Sequence, residues 1–120
     1  MAHPQPVVGA SYPYIRIRFS LRGQEREVSA LADTGFSGDL VIPATFLNGA
    51  LGSADAWSDW ELADGSVVTT PLYSGTVEII GLGPVTAAIA VMGEDYILGT
   101  GIMARYSVTF DHGQRVIVEP

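Results

Sequence analysis

The sequence predicts an all-β fold of many short strands, and three observations carry that prediction. Tyr14-Ile15-Arg16-Ile17-Arg18-Phe19-Ser20-Leu21 alternates apolar and polar residues with period two, the pattern of a half-buried strand. An Asp64-Gly65 pair sits between two β-rich runs, where glycine supplies the positive φ that a hairpin turn needs. Fourteen glycines and seven prolines in 120 residues supply turns at short intervals.

The first strand places Ile15, Ile17, Phe19 and Leu21 on one face and Arg16 and Arg18 on the other. Arg22-Gly23-Gln24-Glu25 turns it back, and residues 27–31 return as a second strand running into Ala32-Asp33-Thr34-Gly35. Leu40-Val41-Ile42 reads as a short buried strand stopped by Pro43. One helical turn over residues 44–48 and a loop of small residues over 49–59 follow. Trp60-Glu61-Leu62 and Val67-Val68-Thr69-Thr70 form a hairpin through Ala63-Asp64-Gly65-Ser66. Residues 72–80 and 85–92 pair around Gly81-Leu82-Gly83-Pro84. Tyr96-Ile97-Leu98 is short and buried, residues 102–105 give one helical segment, and residues 107–110 and 115–118 close the chain as a hairpin. Trp57 and Trp60, at the base of the central hairpin, are expected to pack against the core or a dimer partner. Asp39, Asp55, Asp59 and Asp95 lie in turn-like surroundings and are expected to be solvated.

The length suits one compact domain, residues 1–120, with 1–11 as a flexible or dimer-interface segment. An apolar content of 48% is enough for a core. The formal net charge is −7, and every basic residue is an arginine: Arg16, Arg18, Arg22, Arg26, Arg105 and Arg115. Such an acidic domain gains nothing from counterion release, so nucleic acid is not an expected partner. The absence of cysteine excludes thiol catalysis, disulfides and thiolate metal sites. His3 and His112 lie near opposite ends, outside any metal-ligand spacing, and no metal or other cofactor is expected. Residues 1–10 do not read as a signal peptide, and the longest apolar run, around residues 86–92, is far short of the ~20 residues that cross a bilayer. A cytoplasmic protein without membrane contact is the resulting expectation.

The chemistry centres on Asp33-Thr34-Gly35, which follows the small, apolar strand Ser29-Ala30-Leu31-Ala32. A carboxylate at that strand-to-loop junction lies close to the core, where an unpaired Asp is disfavoured. Thr34 offers a hydroxyl, and Gly35 lets another backbone approach. Taken alone, the tripeptide is also what a local turn uses, with the Asp side chain capping its own loop. In context, Ala30-Leu31-Ala32-Asp33-Thr34-Gly35-Phe36-Ser37-Gly38-Asp39-Leu40-Val41-Ile42-Pro43 resembles the retropepsin-like aspartic proteases, in particular their small prokaryote-type single-domain members. Two further segments follow in the family's order. Leu62-Ala63-Asp64-Gly65-Ser66 resembles the flap, and Ile97-Leu98-Gly99 resembles the two-apolar-plus-glycine signature that precedes a C-terminal helix. Tyr106-Ser107-Val108-Thr109-Phe110-Asp111 resembles the strand after that helix, so the resemblance spans residues 14–118.

The resemblance implies a closed β-barrel of the acid-protease type with a short C-terminal helix, acting as a symmetric homodimer on peptide or protein substrates. One Asp-Thr-Gly supplies half an active site, so two Asp33 carboxylates would meet at a two-fold axis. Like charges that close share one proton, and the pair would activate water against a peptide bond without a cofactor. The resemblance makes Asp33, Thr34 and Gly35 the catalytic loop, with Thr34 bonding across the dimer. It makes Phe36, Ser37 and Gly38 the strand on which an extended peptide docks. Ala63, Asp64, Gly65 and Ser66 would form a lid tip, and Ile97 a pocket wall, with Leu98 and Gly99 completing the signature. Retroviral members often carry an Asp–Arg ion pair at the positions matched here by Ser37 and Thr100, both neutral. A different brace for the dimer floor is therefore expected. The flap also lacks a glycine-rich tip.

Two other motifs compete. Ile79-Ile80-Gly81 also fits the two-apolar-plus-glycine pattern but reads as a turn. Gly99-Thr100-Gly101-Ile102-Met103-Ala104 matches a dinucleotide fingerprint, but too little chain follows it for the βαβ unit that fold needs. Three functions of different class remain: an active homodimeric aspartic endopeptidase, a non-catalytic retropepsin-like dimerisation or peptide-binding module, and an unrelated small β-barrel containing Asp-Thr-Gly.

Overall fold

The computed structural model describes residues 6–8 and 11–120. His3 and most of the N-terminal segment 1–11 lie outside the described residues. The strands are β1 (Val7–Val8), β2 (Tyr14–Leu21), β3 (Gln24–Ala32), β4 (Leu40–Ile42), β5 (Ala56–Glu61), β6 (Val67–Ile79), β7 (Pro84–Val91), β8 (Ile97–Leu98), β9 (Ser107–Asp111) and β10 (Arg115–Glu119). A single-turn helix, α1 (Thr100–Met103), and a 3-10 turn, Ala44–Phe46, complete the elements.

Six strands close a barrel in the order β2-β3-β8-β4-β7-β6, and β6 returns to β2 through the pairs Ile17↔Ile79 to Ser20↔Thr76. Closure removes the open edges that an isolated sheet would expose. The β5 strand lies outside that ring, pairing with the first half of β6 to make a hairpin. A second sheet, β1-β10-β9, is antiparallel throughout.

The β2 alternation determines which face is core. Ile15, Ile17 and Phe19 are fully buried and Leu21 nearly so. Phe19 meets Phe46 edge-on at 5.8 Å and Tyr96 at 6.0 Å, which ties the 3-10 turn and the approach to β8 to one ring. On the outer face Arg18 stands opposite both Glu27 of β3 and Glu78 of β6, reaching them at 3.4 and 3.0 Å. Such solvated pairs contribute about 0.2–1 kcal/mol each and mainly suit the register.

Several boundaries differ from the sequence reading; β3, for example, begins at Gln24, inside the expected turn 22–25. The β5 strand begins at Ala56, inside the expected loop 49–59, because Asp55 fastens its start. The β6 strand runs unbroken through Pro71, where a break was expected at residues 70–72. Proline is tolerated there because the strand changes partner at that point: Leu72 pairs with both Ala56 of β5 and Ala90 of β7. The helix starts at Thr100, two residues before the expected segment.

Gly75 lies where β6 crosses β2. A Cβ there would overlap the Ser20 carbonyl oxygen and lie 2.8 Å from Ile89 Cδ1. Gly75→Ala is therefore expected to destabilise the fold by about 1–3 kcal/mol through overpacking. Urea unfolding checks this, and an unchanged midpoint would mean that the crossing relaxes freely.

Candidate active site

Parallel pairing of β3 with β8 delivers Asp33 to its position. Ala32 stands opposite Leu98, and the Asp33 N–H donates to the Leu98 carbonyl at 3.0 Å. Strand β8 is also paired antiparallel with β4, so the chain before and after residues 33–39 grips β8 from both sides. The loop between is stitched to the segment following β8. Gly99 N–H donates to Asp39 O at 2.9 Å, Thr100 N–H to Phe36 O at 2.8 Å, and Gly101 N–H to Gly38 O at 3.0 Å. A side chain at position 99 would overlap Gly38 O and crowd Phe36, and one at 101 would overlap the Asp39 carboxylate. Glycine at both positions permits these backbones to touch.

This stitching replaces the ion pair that Ser37 and Thr100 lack. The Thr100 hydroxyl adds a 3.3 Å bond to the same Phe36 carbonyl. Asp39, expected to be solvated, is instead half-buried, and its Oδ2 accepts the Ala88 N–H of β7 at 2.9 Å. The signal for it was the Gly101 that makes room for its other oxygen.

Asp33 is half-exposed, and its Oδ1 accepts the Gly35 N–H at 2.8 Å. The local turn is thus real, and it uses one carboxylate oxygen of two. Asp33 borders two cavities. One, of about 600 Å³, lies under the β5–β6 hairpin and is lined by Asp33, Gly35, Phe36, Ser37, Val41, Trp60, Leu62, Ala63, Met92 and Ile97, among others. The other, of about 460 Å³, is lined by Asp33 and Thr34 with Tyr12, Pro13, Leu31, Ala32 and Phe110. Gly38 lines neither but borders a third, smaller cavity. Leu98 and Gly99 are buried behind the site.

Asp64, Gly65 and Ser66 form the hairpin tip without lining these cavities. Asp64 accepts both the Ser66 hydroxyl and the Ser66 N–H, which hold its carboxyl below the usual range, and Gly65 takes φ 84°. These are turn contacts. The two tryptophans separate, because three residues along a strand reverse the face. Trp60 is half-buried against Phe36, whereas Trp57 is 66% exposed and does not pack as expected. Asp59 is likewise engaged, accepting the Thr69 hydroxyl across the hairpin. Gly99-Thr100-Gly101 leads into a four-residue helix, and among the described residues there is no crossover helix of the dinucleotide kind.

The hairpin base is clamped by Arg22, at the β2–β3 turn. Its guanidinium donates to Leu51 O at 2.7 Å, Ser53 O at 3.0 Å and Asp55 Oδ1 at 2.9 Å, and lies over the Tyr73 ring. Asp55 Oδ2 accepts the Ser74 N–H at 2.8 Å. The Ser74 N–H first, then Arg22, hold the Asp55 carboxyl below its ordinary value. A depressed carboxyl stabilises the fold above its unfolded pKa, and that contribution is lost as pH falls through the folded value. Asp55→Asn should therefore be less stable than the parent at pH 7, with the difference shrinking below about pH 4. Melting temperatures across pH 2–8 check this; a constant difference would mean that the charge of Asp55 contributes nothing.

Among known proteins, no family model matches the chain, and no curated protein matches its sequence. Its structure, however, is similar to the crystal structure of a retropepsin-like aspartic protease from Rickettsia conorii. That similarity has a TM-score of 0.60 over 95% of this chain and 89% of the other, at 13% identity. With its closed six-strand barrel, interlocked Asp33 and Gly99 loops and overhanging hairpin, this chain has the fold of the retropepsin-like aspartic proteases.

Proposed function

We propose that the chain is half of an aspartic endopeptidase that hydrolyses peptide bonds as a symmetric homodimer. The observation that carries this reading is the position of Asp33, shared by an apolar cavity beneath a hairpin and an aromatic cavity beside Tyr12 and Phe110. The first suits an extended peptide and the second a second copy of the chain. An isologous contact over Tyr12, Thr34 and Phe110 would bring two Asp33 loops to the axis, since each patch then faces itself. Tyr12 is 40% exposed and meets Phe110 edge-on at 6.2 Å. The Pro13 carbonyl beside it accepts the Ala32 N–H at 3.0 Å, so the surface and the Asp33 strand are one rigid unit.

In that dimer the two carboxylates hold one proton between them. The charged member takes a proton from water, whose oxygen attacks the peptide carbonyl carbon. The protonated member donates to the carbonyl oxygen, giving a neutral tetrahedral diol. Its collapse breaks the C–N bond, with a proton passing to the leaving amine. Thr34 ties the two loops together, and Gly35, Phe36, Ser37 and Gly38 flank the peptide. Ala63 to Ser66 close over it, and Ile97 walls one side chain. No metal or cofactor takes part, and the reading treats residues 1–120 as one domain acting in the cytoplasm. Among the described residues no helix is long and apolar enough to cross a membrane.

Incubation with a diverse peptide library from acidic to neutral pH, read by mass spectrometry, tests the activity. Cuts are expected with the parent and none with Asp33→Asn, whose melting temperature should hold or rise because a repelling pair is relieved. Equal cutting by both proteins would refute the assignment of Asp33, and a large loss of stability would make Asp33 a structural residue. Light scattering at high micromolar concentration should show a dimer for the parent and a monomer for Tyr12→Asp. A monomeric parent removes the two-carboxylate mechanism.

A further inference from the structure

The large cavity beside Asp33 ends at a pair of aromatic rings. Phe36 and Trp60 have centroids 5.0 Å apart and planes tilted by 58°. Neither is free to drift. The Trp60 indole N–H donates to the hydroxyl of buried Thr70 at 2.8 Å, and the Phe36 carbonyl is held by Thr100. A second cavity, of only about 140 Å³, shares the two rings and is walled by Gly38, Asp39, Leu40, Leu72, Ala88 and Ala90 as well. On the Asp33 side the cavity is about 600 Å³ and takes in Val41, Leu62, Met92 and Ile97, with the carboxylates of Asp59 and Glu61 also on its wall. The partition is tightly built: a Cβ on Gly38 would overlap the Phe36 ring and lie 2.9 Å from Trp60 Cη2.

We infer that the Phe36–Trp60 pair sets the substrate class. The site takes an extended peptide with a large apolar side chain in the wide cavity and a small one, two residues away in sequence, in the narrow cavity. The inference rests on the peptide-binding part of the reading above. Alternate side chains of an extended chain project on the same face roughly 6–7 Å apart, and the two cavities are neighbours because both are lined by Phe36 and Trp60. A large side chain in the narrow cavity would have to displace Trp60 and break its bond to Thr70, leaving a buried hydroxyl to find another partner. Trp60 therefore selects against bulk at that position, and the hydrophobic wide cavity selects for it at the other.

Two tryptophans in the chain make the test direct. In an Asp33→Asn, Trp57→Phe protein, Trp60 is the sole indole and cleavage is blocked. Peptides that differ only in carrying Ala or Phe two residues from a fixed Leu are titrated by calorimetry, with Trp60 emission followed in parallel. The Ala peptide is expected to bind at least tenfold more tightly and to shift Trp60 emission. Trp60→Ala, added to that protein and read by calorimetry, should erase the preference, and Trp60→Phe, which keeps a ring but loses the Thr70 bond, should weaken it. Equal binding of the two peptides, or a preference that survives Trp60→Ala, overturns the inference, and the peptidase reading then still stands on cleavage by the parent. Selective binding with no cleavage by the parent supports the inference while removing the peptidase reading. If neither peptide binds, the inference falls, and cleavage of the library by the parent alone decides the peptidase reading.

Discussion

Two stretches of backbone, residues 36–39 and 99–101, must touch for this molecule to exist as it does. Three main-chain bonds join them, the Thr100 hydroxyl adds a fourth, and glycine at 99 and 101 leaves no side chain to hold them apart. Through this contact β8 is wedged between β3 and β4, and without that wedge the six-strand ring would have an open edge on each side. The same contact fixes Asp33, whose N–H is bound to β8 and whose carboxylate is turned by its own loop. Barrel closure and presentation of the carboxylate are therefore one event. Asp39 extends it to β7, and Thr100 supplies with neutral atoms a brace that an ion pair could have supplied with charge.

The overhanging hairpin is attached by different means. Its base is held by charge-assisted bonds from Arg22 and Asp55, its middle by the indole of Trp60 on Thr70, and its tip by the Asp64–Ser66 turn. These anchors are local and partly solvated, and β5 is paired on one side only, unlike the barrel strands. Such an element opens at lower free energy than the core it stands on. Under the proposed function that difference would let the hairpin open for substrate before the site closes.

The acidic balance of the chain reaches the site, where Asp59 and Glu61 line the wide cavity together with Asp33. Arg16 and Arg18 are engaged by carboxylates on the outer barrel face, and Arg22 at the hairpin base. The walls around Asp33 are chiefly aromatic and aliphatic. Under the proposed function, recognition there would depend on shape and apolar contact, with the backbone of an extended ligand supplying hydrogen bonds.

Much of the barrel was legible in the sequence because period-two alternation reports burial directly: Ile15, Ile17, Phe19 and Leu21 occupy the face the pattern demands. The Asp33 loop, the hairpin turn at Gly65 and the one-turn helix were legible for the same kind of reason, since each depends on residue types within a few positions. Asp39 was misread as solvated, and the bonds of the exposed Asp55 were not foreseen, because the N–H groups they accept, Ala88 and Ser74, come from strands 49 and 19 residues away. The separation of Trp57 from Trp60 followed from where β5 begins, and that depended on Arg22 reaching across from another turn. The sequence by itself determined the strand faces, the turn chemistry and a single carboxylate in a loop. Only the tertiary structure decided which cavities that carboxylate borders and which ring divides them, because these depend on contacts between residues distant in the chain.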